Sequence, residues 1–315
     1  VGIRRELDKL LNDSEAASLD VMQSNLASLA DSLINKVMAR ELGLSKSNKL
    51  DAVKDVTASG INEYKRELLD LLTVIAYEAL RLAKKEVPKA KFALSEIDYS
   101  NILFVESKRV KKLKSNAVKN KRIETMWKKL PAKVRKRLKI QQELLVKTQL
   151  SDLEKAIFFS YTSAVNQELT PEEIAKSLEE NAEGFITGPS VRAGAPLTAH
   201  EAIGEARSAF FADPEVEKEI EAFEFVNNFP KDRTPICEQL NGTIFAKDDP
   251  NKFKFTPPLH FNCRSMIMPI IIGDLKGRKI GKLKISKENE KYLQFSEKLK
   301  NFPIQYERLT NPFWG

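Results

Sequence analysis

The sequence predicts an α+β protein: a mostly α-helical N-terminal region with long amphipathic helices, then a helical domain ending in a small β-hook. Three observations carry this. Apolar residues recur every three or four positions through residues 7–42 and 61–86, the period of a helix with one buried face. Residues 151–217 are punctuated by helix-start signals. From Asn241 to Ile272 the pattern changes to tight-turn residues and short apolar runs, which read as strands.

In chain order, Leu19, Met22, Leu26, Leu29, Leu33 and Val37 make one stripe on a helix from Leu7 to Leu42, with Gly43 as its stop. A second helix runs from Ile61 to Glu86, with Leu68, Leu71, Leu72, Ile75, Leu80 and Leu82 on its apolar side and Pro88 beyond it. Neither helix can hide its stripe alone. An intrachain hairpin is the first expectation and a partner's groove the second. Further on, Ser151-Asp152-Leu153-Glu154 starts a helix, and Thr170-Pro171-Glu172-Glu173 is a capping box with proline at the first helical position. Gly184 to Pro196 reads as a loop, and Thr198-Ala199-His200-Glu201 as a capping box opening a helix to Phe211. His200 then falls in a first turn, facing solvent. Asp213-Pro214-Glu215 opens a further helix with Ile220, Phe223 and Val226 inward. A short helix is expected near Lys287–Leu299, and the aromatics Phe302, Tyr306, Phe313 and Trp314 of the tail call for a docking place.

The hook holds both cysteines of the chain and one of its two histidines. Asn241-Gly242 is a turn pair, Thr243-Ile244-Phe245 a short strand, and Met266 to Ile272 a buried strand closed by Gly273. Pro257-Pro258 stiffens the approach to His260 and Cys263. Cys237, His260 and Cys263 are ligand types a tetrahedral zinc accepts, with Asp232 the nearest fourth. Two buried thiols beside a hydrogen-bonded histidine, or a disulfide, are the other states these residues allow. Asp232, Arg233 and Arg264 are expected to form an ion-pair cluster pinning the loop before Cys237. Nucleophilic catalysis by Cys263 with His260 lacks an orienting carboxylate, and two histidines are few for a metal nuclease.

Residues 108–139 are the charge feature of the chain. Fifteen Lys or Arg stand there against Glu124 alone, a formal +14 in a chain whose total is +8. The basicity is therefore a block and not an even coat. Lys108, Arg109, Lys111, Lys112, Lys114, Lys121, Arg122, Lys128, Lys129, Lys133, Arg135, Lys136 and Arg137 are the candidate contacts to a phosphate backbone. A solvated helical face, or an arm against an acidic protein, is the alternative. Pro131 interrupts the block, as expected of an arm or linker. Trp127 is its one stacking aromatic, which disfavours single-strand recognition.

The hook also carries a resemblance. Asp232-Arg233-Thr234, Cys237, Leu240, Gly242, Phe245 and Pro257-Pro258-Leu259-His260-Phe261-Asn262-Cys263-Arg264 resemble the motif of the phage Mu protein F-like family, over roughly Ser151 to Ile272. The Ala202 to Arg207 stretch is similar to the helix that precedes that motif. Many members carry further cysteines where this chain has Thr234 or Pro235 and Ser265, so a four-cysteine cage is incomplete here. The resemblance implies a non-enzymatic minor head (head morphogenesis) protein of tailed double-stranded DNA phages. Such a protein is made in the host cytoplasm and sits inside the capsid at the portal vertex. Its partners would be the portal protein, other head proteins and the packaged DNA. A DNA-binding protein outside any particle, and a metal-dependent or thiol hydrolase, are the alternatives.

Composition agrees with a soluble chain of about two domains: 42% hydrophobic, 30% charged, with no apolar run of ~20 residues for a membrane anchor. The charged start at Arg4-Arg5-Glu6 is unlike a secretory signal. The expected organisation is a helical region (1–107), a basic arm (108–150), the Mu F-like domain (151–273) and a C-terminal extension (274–315).

Overall fold

A computed structural model describes residues 2–41, 58–89, 117–227, 234–257, 259 and 263–291. The chain is α+β, mostly helical with one small antiparallel sheet in its C-terminal part. The helices are α1 (Gly2–Glu41), α2 (Ala58–Glu86), α3 (Ala117–Lys129), α4 (Ala132–Asn166), α5 (Pro171–Ile186), α6 (Pro189–Phe211) and α7 (Pro214–Glu217). Strand β1 (Ile220–Asn227) follows, then α8 (Pro235–Leu240), β2 (Ile244–Ala246), α9 (Lys252–Phe255), β3 (Ser265–Ile271) and a 3-10 turn at Lys287–Asn289. The Gly43 stop, the tail aromatics, Lys108 to Lys114, Asp232, Arg233, Pro258, His260 and Asn262 lie outside the described residues.

The described residues form two compact units, interleaved along the chain. One draws on Val1–Glu15, Leu71–Leu138 and Pro196–Ile304, the other on Ala16–Asp70 and Lys139–Ala195. The second unit is helical. Leu26, Leu29, Leu33, Leu68, Leu145, Val146, Leu153, Ile157, Ile174 and Leu178 are buried there. Its buried polar groups are paired across elements: Tyr64 donates to Gln149, and Asn25 Nδ2 donates to Glu67 at 2.9 Å. Asn181 Nδ2 donates to Ser160 Oγ at 3.1 Å. The Thr170 capping box forms as the sequence predicts, with Thr170 N donating to Glu173 at 2.8 Å and Glu173 N to Thr170 Oγ1 at 3.4 Å.

The first unit holds the sheet, ordered β2-β1-β3. Phe223 lies opposite Phe245 on β2 and Pro269 on β3, and a bulge sits between Ile220 and Ala222. An aromatic chain, Phe210–Phe211–Phe223–Phe245, runs from α6 onto the sheet with ring centroids 5.6, 5.8 and 5.9 Å apart. From Leu72 to Leu80, α2 is buried on every side, as a helix inside its own chain's core must be. The stripe of α2 is thus covered within the chain.

Several local expectations are corrected. Residues 184–196 are not a loop. The α5–α6 connection is only Thr187-Gly188, and Pro196 lies inside α6. Val191, Ala195, Leu197 and Ala199 are all buried, and their burial offsets the one amide bond that a proline removes. Gly188 permits the short connection, since a Cβ there would lie 2.7 Å from the Gly184 carbonyl oxygen. Thr198 is therefore helix interior and not a cap. Ser151 likewise starts nothing, because α4 runs straight through it. Asp213 does cap a helix, accepting from Glu215 N at 2.9 Å, but that helix is a single turn. Ile220, Phe223 and Val226 belong to β1. The expected helix at Lys287 begins as a 3-10 turn.

A buried ion pair crosses the first unit. Arg207 of α6 donates to both carboxylate oxygens of Glu86, one at 3.0 Å, and to the Ile267 carbonyl of β3 at 3.0 Å. Burial pushes the Glu86 carboxyl up, and Arg207 opposes that. Removing one partner strands a buried charge. Arg207→Met should cost about 3–5 kcal/mol in denaturant unfolding, and Arg207→Met with Glu86→Leu should recover most of it. An additive double variant would show the pair to be unimportant.

Candidate functional site

The hook is built from both ends of the motif. Pro235 occupies the first helical position of α8, and the Thr234 carbonyl accepts from Cys237 N at 2.9 Å. This turn puts Cys237 on the buried side with Ile236 and Leu240. Asn241-Gly242 then reverses the chain. Thr243 N bonds the Leu240 carbonyl at 2.9 Å, and Gly242 takes φ +77°, where a Cβ is disfavoured. The reversal is stitched to β1: Gly242 N donates to the Phe225 carbonyl at 2.8 Å, Phe225 N to the Thr243 carbonyl at 2.9 Å, and Asn227 N to Asn241 Oδ1 at 2.8 Å.

Cys263 arrives from the other side, one residue before Arg264 and two before β3. Its sulfur lies 3.8 Å from that of Cys237, within reach of an S–H···S contact, and both thiols are buried and not joined in a disulfide. Two thiolates on a tetrahedral zinc, with bonds of about 2.3 Å, stand about 3.8 Å apart, so this pair fits two corners of such a site. Among the described residues no group of three His, Cys, Asp or Glu could hold a metal; His260 and Asp232 are outside them. Thr234 immediately precedes α8, Gly242 sits in the turn after it, and Pro257 lies two residues beyond α9. Pro257 and Cys263 line a concavity with Leu11, His200 and Ser265, open to solvent.

The partner of Arg264 is a finding the sequence did not suggest. Arg264 donates to Glu15 of α1, and the other oxygen of Glu15 accepts from His200 Nε2 at 2.8 Å. Nδ1 of His200 donates to the Cys263 carbonyl. His200 is 6% exposed, so its expected place in a solvent-facing first turn is corrected: with α6 starting at Pro189, it sits in mid-helix and inward. Each of its ring nitrogens faces an oxygen, so the ring is held between α1 and the hook. The signal in the sequence was the polar interruption Ser14-Glu15 in a stripe otherwise marked by Leu7, Leu10, Leu11 and Met22.

The basic block splits in two. Lys121, Arg122, Lys128, Lys133 and Lys136 are exposed along α3 and the start of α4, while Ile123, Met126, Leu130, Val134 and Leu138 are buried beneath them. Residues 117–139 are thus one face of packed helices and not a free arm. Glu124 is ion-paired with Lys128 at 2.7 Å, and its carboxyl is held below its ordinary range by that lysine. Lys129, Arg135 and Arg137 are half-buried. Arg137 turns to Glu205, at 3.4 Å, beside the buried Glu201.

Burial pushes the Glu201 carboxyl up to about 8, with Arg137 opposing and Glu205 adding to the rise. The folded protein therefore holds a proton that the unfolded chain releases near 4.5. The resulting stability is complete below about 4.5 and is lost as pH rises through about 8. Glu201→Gln should match the native chain near pH 4.5 and exceed it by roughly 3–5 kcal/mol at pH 8, at about 1.4 kcal/mol per unit. A gap independent of pH, measured by denaturant unfolding, contradicts this assignment.

No described helix is long and apolar enough to cross a membrane. No family model matches the chain, and neither a curated protein nor a solved structure matches it.

Proposed function

We propose that this chain is a structural minor head protein of a tailed phage, placed inside the head at the portal vertex, with its basic face toward packaged DNA. The observation that carries the reading is the use to which the motif is put. Residues 26 positions apart, Cys237 and Cys263, meet side by side, and Arg264 is turned to a helix 249 positions away. That arrangement supports a clamp more than a reactive group presented to a substrate. The basic face of α3 and α4 supports contact with phosphates in the same way. Its cations are exposed over a buried apolar ridge, so counterion release on contact needs no refolding. Catalysis forms no part of the proposal.

In this reading the cysteines are structural, either as packed thiols or as zinc ligands with His260 and Asp232. Cys237→Ser should lower the unfolding midpoint by an amount worth about 1–3 kcal/mol, since it leaves a hydroxyl buried among apolar neighbours. Elemental analysis of the purified chain separates the two states: one zinc per chain, lost in Cys237→Ser, assigns the ligands.

The particle itself tests the proposal. Quantitative mass spectrometry of gradient-purified particles of the encoding phage should find a fixed low copy number that stays with the portal fraction after opened heads are washed in high salt. Absence from particles overturns the reading and leaves a DNA-binding protein acting elsewhere, or an assembly factor.

A further inference from the structure

A second basic surface lies outside the block that the charge count singles out. From the end of β3 to the start of the 3-10 turn, the chain crosses the sheet unit and presents Lys276, Arg278, Lys279, Lys282, Lys284 and, as the first residue of that turn, Lys287, all exposed. Among the described residues only Arg278 of these six is ion-paired, with Glu224 at 3.0 Å.

This strap is not a loose tail. Leu275 packs on the cluster of Ala222, Ile244 and Ile270. Gly281 N donates to the Ile244 carbonyl at 2.7 Å, Leu283 is buried, and Gln239 of α8 accepts from Ser286 N at 3.1 Å and Asn289 Nδ2 at 2.7 Å. The anchors face inward and the cations outward. The strap begins with a tight turn in which Arg278 N bonds the Leu275 carbonyl at 2.9 Å and both central residues, Lys276 and Gly277, have positive φ, +46° and +77°. Such turns favour Asn, Asp or Gly at both positions, and a lysine held there costs about 1 kcal/mol. A charged side chain kept at a strained turn tip, on a segment fixed at four points, breaks a local rule that asparagine or glycine would satisfy.

The geometry points to a surface that binds the phosphate backbone of duplex nucleic acid. Five of the six cations are lysines, point charges that accept a phosphate without the planar match a carboxylate offers to arginine. A duplex carries one negative charge per ~1.7 Å of axis, so exposed lysines at uneven spacing along the chain need no exact register to meet phosphates. The strap has no aromatic between Leu275 and Lys287, and hence no platform on which an unpaired base could stack. Pinning the strap before binding lowers the ordering cost that a flexible tail would pay. This surface is separate from the α3–α4 face, and its test does not require a particle.

The test measures binding of the full-length chain to a labelled duplex of mixed sequence over a range of salt concentrations. The probe strain is a variant with Lys276, Lys279, Lys282, Lys284 and Lys287 changed to Gln, and a second variant carries Gln at Lys121, Arg122, Lys128, Lys133 and Lys136. Each lost phosphate contact lowers the slope of log K against log salt by about 0.9. The strap variant should lose about 3 or more from the slope and bind at least tenfold more weakly at low salt, with an unchanged melting temperature. An unchanged slope and affinity overturn the proposal and are the outcome expected if the strap faces an acidic protein. Tighter competition by single strands than by duplex also overturns it. Loss of the slope in the α3–α4 variant alone sinks the strap and spares the helical face, so the two surfaces are told apart.

Discussion

One carboxylate ties the ends of the sheet unit together. Both oxygens of Glu15 are engaged, one by His200 and one by Arg264, and His200 reaches on to the Cys263 carbonyl. Without these partners Glu15 would be a nearly buried charge, which costs several kcal/mol. The link closes a span of 249 residues, and by chain statistics alone that costs about 5 kcal/mol. Hydrogen bonds to charged groups contribute about 1.5–3 kcal/mol each, and the desolvation of Glu15 offsets much of that, so the network keeps little with which to close the span. The apolar core must bring α1, α6 and the hook within reach first: Leu7, Leu10 and Leu11 on α1, Ile203 and Phe210 on α6, and Ile236 and Leu240 on α8 are all buried. The network then selects one arrangement among those that collapse would allow, and in that arrangement the two thiols touch.

What the sequence made legible follows from how local the cause is. Helices α1, α2 and α5 could be read because stripe and cap lie within one stretch of chain. The turn at Gly242 and the strand ending before Gly273 could be read because positive φ selects glycine locally. Residues 184–196 were misread because Gly and Pro signal a break by local rules, while burial of Val191, Ala195 and Leu197 decides the matter over a distance. Strand β1 was misread for a related reason. Its burial runs in pairs, Ala222-Phe223 and Phe225-Val226, because the sheet is covered on both sides, and that spacing imitates a helix. The partners of His200 and Arg264 leave one mark, the polar Ser14-Glu15 in the apolar stripe of α1, and that mark does not say what Glu15 pairs with.

Charge shows the same division between local and tertiary causes. A count along the chain finds the block at 108–139, yet folding turns Arg137 toward Glu205 and leaves Lys121, Arg122, Lys133 and Lys136 outside. The strap is the reverse case. Its cations are too thinly spaced to stand out in a count, and become a surface only because Leu275, Gly281 and Leu283 fasten the segment to the sheet unit. Reactive residues behave likewise: both cysteines are buried, and the buried His200 and Arg207 are hydrogen-bonded to groups far away in the chain.

The Glu15 network holds the Cys263 segment to α1 and α6, and so keeps the hook closed over its thiols. Native-state thiol labelling measures it directly. With a chelator present, a water-soluble thiol reagent should modify Cys237 and Cys263 in the intact chain far more slowly than in the unfolded chain. In Glu15→Gln, labelling at Cys263 should accelerate at least tenfold, a change worth about 1.4 kcal/mol of opening free energy. Equal rates in the two proteins, or labelling of the intact chain as fast as an unfolded thiol, would contradict the account.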